Sequence, residues 1–192
     1  MALASTSLFL SRWLTAPARV GAVAPSGRKL AQRMAAVALD QRSGVVVELG
    51  GGTGAITSEL VKAAGVDGVL VVEIDPAMCR MIERRFPGIR VVQGDAFRLP
   101  DVLQQAGVTA IRSIASSLPL LTHPPERRQL FLQRCLSLME PGGGLVQFTY
   151  SLFSPVPFEI LRDLDVSAVR MGRIWRNMPP ASLWRYSKQR TA

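Results

Sequence analysis

Cysteine, histidine and long apolar runs are all scarce in this chain, and each scarcity excludes something. The two cysteines, Cys79 and Cys135, stand far apart with no CxxC spacing. That excludes a disulfide framework or zinc ribbon and points to buried free thiols in a reducing compartment. With His123 as the one histidine, no metal is expected. The apolar stretch Leu8-Phe9-Leu10 is cut off by Ser11 and Arg12, well short of the roughly 7 to 15 residues of a secretory h-region. No run approaches the roughly 18 apolar residues of a membrane span. The chain is therefore expected to be cytoplasmic and not integral to a membrane.

Acidic residues are scarce only at the two ends. Residues 1–44 carry 6 basic against 1 acidic side chain, residues 45–161 carry 10 against 11, and residues 162–192 carry 7 against 2, for a net charge of +9. A neutral body between basic ends suits a polyanion, either an acidic membrane surface or nucleic acid; the bland alternative is a basic soluble surface. At 192 residues and 48% hydrophobic content, the chain supports one well-buried domain with appendages.

Apolar β-branched runs alternate with helix-patterned stretches: GVVVELG then AITSELVKAAG, GVLVVEI then PAMCRMIERRF, IRVVQG then LPDVLQQAG, TAIRSIASS then PPERRQLFLQRCLSLM, and GGLVQFTY. This order predicts an α/β domain over residues 45–192. Its sheet is Rossmann-like and doubly wound, mostly parallel, with an antiparallel C-terminal pair joined through Asn177-Met178-Pro179-Pro180. Thr122 or His123 is the expected cap of the fourth helix and Gly142 its stop signal. Residues 1–44 are expected to form a separate N-terminal helical segment that binds membrane and acts as a lid.

The first strand ends in Glu48-Leu49-Gly50-Gly51-Gly52-Thr53-Gly54. Glycines at a strand-to-helix turn let the backbone approach a ligand and leave N–H groups pointing at it. Alone, Gly50, Gly52 and Ala55 also fit a dinucleotide pattern. Further carboxylates break the tie. Glu73, ending the second strand about 20 residues on, is placed to accept both ribose hydroxyl hydrogens. Asp95, in GDAF after the third strand, is placed to accept from an adenine amino group, with Ala96 and Phe97 as apolar wall. Glu48 suits a sulfonium or an amino-acid ammonium and suits pyrophosphate poorly. Together these fit S-adenosylmethionine as cofactor, with S-adenosylhomocysteine as product; Gly54, Ile74, Ser116 and Ser26 complete the expected contacts.

The combination ELGGGTG, EIDP, GDAF and EPGG resembles class I S-adenosylmethionine-dependent methyltransferases over residues 45–150. More narrowly, GAVAPS, SSLPLL, VQFTYSLFSPVP and NMPPASLWRY resemble the bacterial phospholipid N-methyltransferases, across nearly the whole chain. That resemblance implies methylation of phosphatidylethanolamine and its mono- and dimethylated forms toward phosphatidylcholine. A part shared with the ribosomal-RNA adenine dimethyltransferases is also visible.

Ser116-Ser117-Leu118-Pro119-Leu120-Leu121 stands where a base-amine methyltransferase carries an Asn-Pro-Pro-Tyr-like tetrad. An adenine amine has its lone pair delocalised into the ring and needs that Asn and a stacking aromatic; the stretch has neither, and no nucleic-acid partner is expected. An ethanolamine amine, once deprotonated, needs mainly alignment with the methyl carbon and a wall that tolerates a growing methylammonium. Leu118, Leu120 and Leu121 suit that wall, or else are plain core packing; Ser117 and Pro119 are harder to explain as core, and Pro119 joins the leucines as a candidate substrate contact. Tyr150 adds cation–π attraction of about 0.5 to 2 kcal/mol. The catalytic candidates are Tyr150, Ser117 and His123, the last as proton acceptor or helix cap; Arg19 is the candidate for the substrate phosphate. Near the start, Leu3, Phe9, Leu10, Trp13 and Leu14 fit an amphipathic helix lying in an interface, with docking onto the domain as the alternative. A monomer, peripheral on the inner face of the cytoplasmic membrane, is the overall expectation.

Overall fold

Strands without polar alternation are stable only where both sheet faces are covered, and the sheet obeys that rule. The computed structural model describes residues 26–39, 44–108, 111–177 and 179–189. The expected membrane helix bearing Leu3, Phe9, Leu10, Trp13 and Leu14 lies outside them, as do Arg19 and the side chain of Ser26. β1 (Val46–Leu49) and β2 (Val69–Glu73) are buried at every residue, and β4 (Ile111–Ser116) at all but Arg112. β3 (Arg90–Gln93), at the edge, has no fully buried residue. With β5 (Met139–Thr149), β6 (Val166–Ile174) and β7 (Ala181–Lys188), the order is β3-β2-β1-β4-β5-β7-β6. The first five strands are parallel, β7 is antiparallel to both its neighbours, and the expected Rossmann-like sheet is present.

One face is covered by α1 (Ser26–Ala38), α2 (Ala55–Ala64) and α3 (Pro76–Arg85), the other by α4 (Leu99–Gln105), α5 (Pro125–Ser137) and α6 (Phe158–Asp163). Although the sequence suggests a division at residue 44, α1 is part of the domain core. Leu30, Ala31, Met34, Ala35, Val37 and Ala38 are buried in one cluster with Val46, Val146 and Leu183, a single apolar stripe at helical spacing. Its end is stitched to β4: Ser113 Oγ donates to the Ala38 carbonyl at 2.6 Å, and the Arg112 guanidinium donates to the Leu39 carbonyl.

Two helix-end expectations need correction. Pro124, not Thr122 or His123, occupies the cap position of α5, and no side chain caps it. Thr122 Oγ1 instead donates to the Pro119 carbonyl at 2.7 Å, and His123 closes the short 3-10 turn Leu120–Thr122. Proline opens a helix without penalty because the first-turn N–H groups lack partners anyway. The chain leaves α5 at Leu138 and rejoins the sheet at Met139, so Gly142 lies within β5. Cys79 and Cys135 are buried and unpaired.

Tyr186 is fully buried on β7, its hydroxyl 2.8 Å from Ser154 Oγ. Ser154 Oγ also lies 2.8 Å from the Val156 carbonyl and accepts the Val156 N–H at 3.1 Å, tying the loop after β5 to the sheet. Tyr186→Phe is expected to lower the unfolding free energy by about 1 kcal/mol, measured by urea denaturation.

Candidate functional site

Because β1, β2 and β4 run parallel in level register, the loops that follow them converge at one edge of the sheet. At Gly50 φ is 77°, and a Cβ there would meet Ser117 Oγ at 2.9 Å. A Cβ on Gly51 would strike Ile82 and Val71 at 2.6 Å. Over Gly52, by contrast, nothing lies within 4 Å of where a Cβ would stand, so the turn is packed from behind and open above. Gly54 caps α2 in a left-handed conformation.

Glu73 braces this turn. Its Oε2 accepts the Gly52 N–H at 2.9 Å, and its Oε1 accepts those of Ile74 at 2.8 Å and Asp75 at 3.0 Å. A carboxylate has about four acceptor sites. With three filled, accepting both ribose hydroxyls requires one of these N–H groups to let go. Ile74 beside it is 64% exposed, and Asp75 caps α3 through the N–H groups of Ala77 and Met78. Asp95 Oδ1 accepts the Phe97 N–H at 2.9 Å, leaving Oδ2 for an amine; Ala96 beside it is buried.

Ser117, expected among the catalytic groups, donates its hydroxyl proton to the Gly50 carbonyl at 2.6 Å, with that of Leu49 at 3.2 Å. Ser116 is buried, its Oγ 3.4 Å from the Leu118 amide nitrogen. One residue escaped sequence reasoning. Gln147 is 1% exposed, and its Nε2 donates to the carbonyls of Leu118 at 2.9 Å and Phe148 at 2.7 Å. It fixes the loop after β4, while its Oε1 is buried without a partner. An amide inside the otherwise apolar run Leu145-Val146-Gln147-Phe148 was the available signal.

The residues 117–122, with Phe148, Thr149, Tyr150 and Pro155, line an apolar cleft beside the glycine turn. Leu118, Pro119 and Leu121 contribute to it; Leu120 also belongs to the core, at 2% exposure. Burial pushes the Tyr150 hydroxyl up to about 12, eased by the Asn177 side chain, so it is protonated at neutral pH. His123 does not line the cleft. Its ring packs edge-on against Phe97 at 4.5 Å, with the Arg127 guanidinium 4.4 Å from the same Phe97 ring. Burial lowers the imidazole pKa and Arg127 lowers it further, partly offset by Asp95. Among the described residues, no group of three or more His, Cys, Asp or Glu is placed to hold a metal ion.

Behind the turn, Glu48 is fully buried, neither carboxylate oxygen has a hydrogen-bond partner, and Thr57 beside it completes none. Burial pushes its pKa up to about 8, tempered by the nearby Thr57 hydroxyl and N–H dipoles, which fall short of hydrogen-bond geometry, and raised again by Glu73. The unfolded carboxyl titrates near 4.5. The folded state is therefore favoured fully below that pH and loses the advantage as pH rises to about 8. Relative to the wild type, Glu48→Gln should gain stability between about pH 5 and about pH 8.5, by on the order of a few kcal/mol. Urea denaturation of both proteins across that range checks it; parallel profiles would place the titrating group elsewhere.

The open turn and the acids after β2 and β3 fit a nucleoside, and comparison with known proteins points the same way. The model of a methyltransferase domain family matches residues 46–143. The ornithine lipid N-methyltransferase of Singulisphaera acidiphila is 31% identical over 146 residues, covering 74% of this chain and 76% of that protein. The ribosomal RNA small subunit methyltransferase A of Chlorobium chlorochromatii is 34% identical over 98 residues, 48% of this chain but only 36% of that one. Among solved structures, the N-methyltransferase NodS from Bradyrhizobium japonicum, in complex with S-adenosyl-L-homocysteine, matches with a TM-score of 0.66 at 16% identity, over 96% of this chain and 99% of that one. The family match runs from β1 into β5, through every element that builds the turn and its bracing acids, and the chain belongs to the class I methyltransferases, with S-adenosylmethionine as cofactor and S-adenosylhomocysteine as product.

Proposed function

We propose that this enzyme methylates the amine of phosphatidylethanolamine and of its mono- and dimethylated forms, toward phosphatidylcholine. It works as a peripheral monomer on an acidic membrane surface, on the cytoplasmic side. The observation that carries this reading is the apolar cleft beside the glycine turn. The likeness to an ornithine lipid N-methyltransferase supports a lipid amine as acceptor.

S-adenosylmethionine, held by the glycine turn, Glu48, Glu73 and Asp95, supplies an electrophilic methyl on a sulfonium. The chain's own part is alignment and environment. An apolar cleft disfavours the ammonium form of an entering amine and so favours its lone pair. Leu118 and Leu121 tolerate added methyl groups, and the Tyr150 ring attracts the methylammonium by about 0.5 to 2 kcal/mol. Base methylation is less well served, because the stretch Ser116-Ser117-Leu118-Pro119-Leu120-Leu121 after β4 offers neither an Asn nor a stacking aromatic.

Release of S-adenosylhomocysteine is expected with phosphatidylethanolamine vesicles and not with structured RNA. Turnover on ornithine lipid alone would keep the lipid amine and move the headgroup. RNA alone would overturn the reading, and no turnover would leave a binding module that retains the fold. In Glu73→Ala, S-adenosylmethionine affinity by calorimetry should fall by more than the roughly 1 to 3 kcal/mol of one lost hydrogen-bonding acid, since the turn also loses its brace. Unchanged affinity would remove Glu73 from the site.

A further inference from the structure

Among the described residues, eight large hydrophobic side chains are exposed, and six of them (Ile74, Leu121, Leu152, Phe153, Phe158 and Trp175) sit at the cleft edge of the sheet. Ile74, Leu121 and Leu152-Phe153 follow the ends of β2, β4 and β5. Phe158 opens α6 just past Pro155, which lines the cleft. Trp175 reaches the same edge because Ile174 pairs with Ala181 while Thr149 pairs with Ser182. Phe153, Phe158 and Trp175 are 78%, 73% and 71% exposed, more than packing within the domain explains.

Beside this edge, between α1 and the end of β6, runs a groove lined by Lys29, Arg33, Arg173 and Arg176 around Trp175, with no acidic side chain. Arg33 donates to the Met171 carbonyl at 3.1 Å. Arg173 lies 4.8 Å from the Trp175 ring and donates to Ser182 Oγ, while its Nε is buried without a partner. None of the four enters an ion pair among the described residues.

We propose that this edge is the face laid on an anionic bilayer, with Phe153, Phe158 and Trp175 entering the interface and the groove taking lipid phosphates. The proposal rests on the lipid-amine reading and specifies how the substrate is reached: the cleft mouth lies at headgroup level, so the acceptor amine enters without leaving the membrane. A bilayer is the occupant that offers phosphate and an apolar layer side by side, the pairing that suits Trp next to Arg. RNA would leave the phenylalanines uncovered. A second copy of a chain with net charge +9 would bring like charge against the groove.

The test pellets full-length protein with vesicles of phosphatidylcholine and phosphatidylglycerol that contain no phosphatidylethanolamine. Phe153→Ser/Phe158→Ser should bind about tenfold more weakly. Lys29→Gln/Arg176→Gln should lose about fivefold per charge, a loss that fades at high salt. Unchanged thermal unfolding and S-adenosylmethionine affinity confirm that each variant is folded; if the double phenylalanine variant is not, Phe153→Ser alone serves. Wild-type pelleting by both double variants would overturn the proposal, as would charge-variant losses seen in RNA gel shifts and not on vesicles. Turnover of phosphatidylethanolamine in detergent micelles reads the substrate separately. Activity there with edge-independent pelleting sinks the docking face alone; edge-dependent pelleting without turnover sinks the substrate and leaves the face.

Discussion

The turn at Gly50–Gly52 is gripped from both neighbouring strands, and the rest of the site hangs on that grip. Glu73, the last residue of β2, accepts the Gly52 N–H, and Ser117, the first after β4, donates to the Gly50 carbonyl. Leu49 pairs with Val72 on one side and Ser116 on the other, which sets the three strand ends level. A slip of one residue would send each of these side chains to the opposite face. From the same turn α2 begins at Gly54, and from Glu73 the chain passes directly to Asp75, which caps α3. One carboxylate thus links the backbone that approaches the cofactor to the helix that follows β2.

Such a site is costly, and the surrounding core tolerates it. Glu48, Gln147 and Trp184 each bury a polar atom without a partner, a condition that works against stability and that native proteins keep low. Glu48 sits in the row facing α1 and α2, while Leu49, Ser116, Gln147 and Trp184 form the next row, on the opposite face. The two apolar layers flanking these rows supply the burial that offsets them. In Glu48 the cost is reduced by its high pKa, because a protonated carboxyl is cheaper to bury than a charged one.

What the sequence revealed lay within short windows. Strand and helix alternation, the glycine turn, and Glu73 and Asp95 at strand ends all follow from patterns of a few residues, and the structure has them where those patterns put them. What was not legible depends on distance along the chain. Ser117 meets Gly50 across 67 residues and Gln147 meets Leu118 across 29, so their roles as braces have no local signature. The stripe Leu30-Ala31-Met34-Ala35 signals an apolar face, but nothing local says that its partners are Val46, Val146 and Leu183. The expected cap at Thr122 or His123 failed for a different reason: Pro124 and Pro125 already satisfy the constraints of a first turn.

The position of β7 decides what stands around the cleft. With β7 inserted between β5 and β6, Ser182 pairs with Thr149, one residue before the cleft-lining Tyr150. Asn177 then reaches Tyr150, and Trp175 and Arg176 stand at the same edge as Leu121 and Phe153. The loop after β5 is drawn to the same strand by Ser154 and Tyr186. The C-terminal pair therefore does more than close the sheet: because β7 is antiparallel to both β5 and β6, β6 runs in the direction of β5, and its end carries Trp175 and Arg176 to the one edge where parallel strands had already placed the cofactor turn.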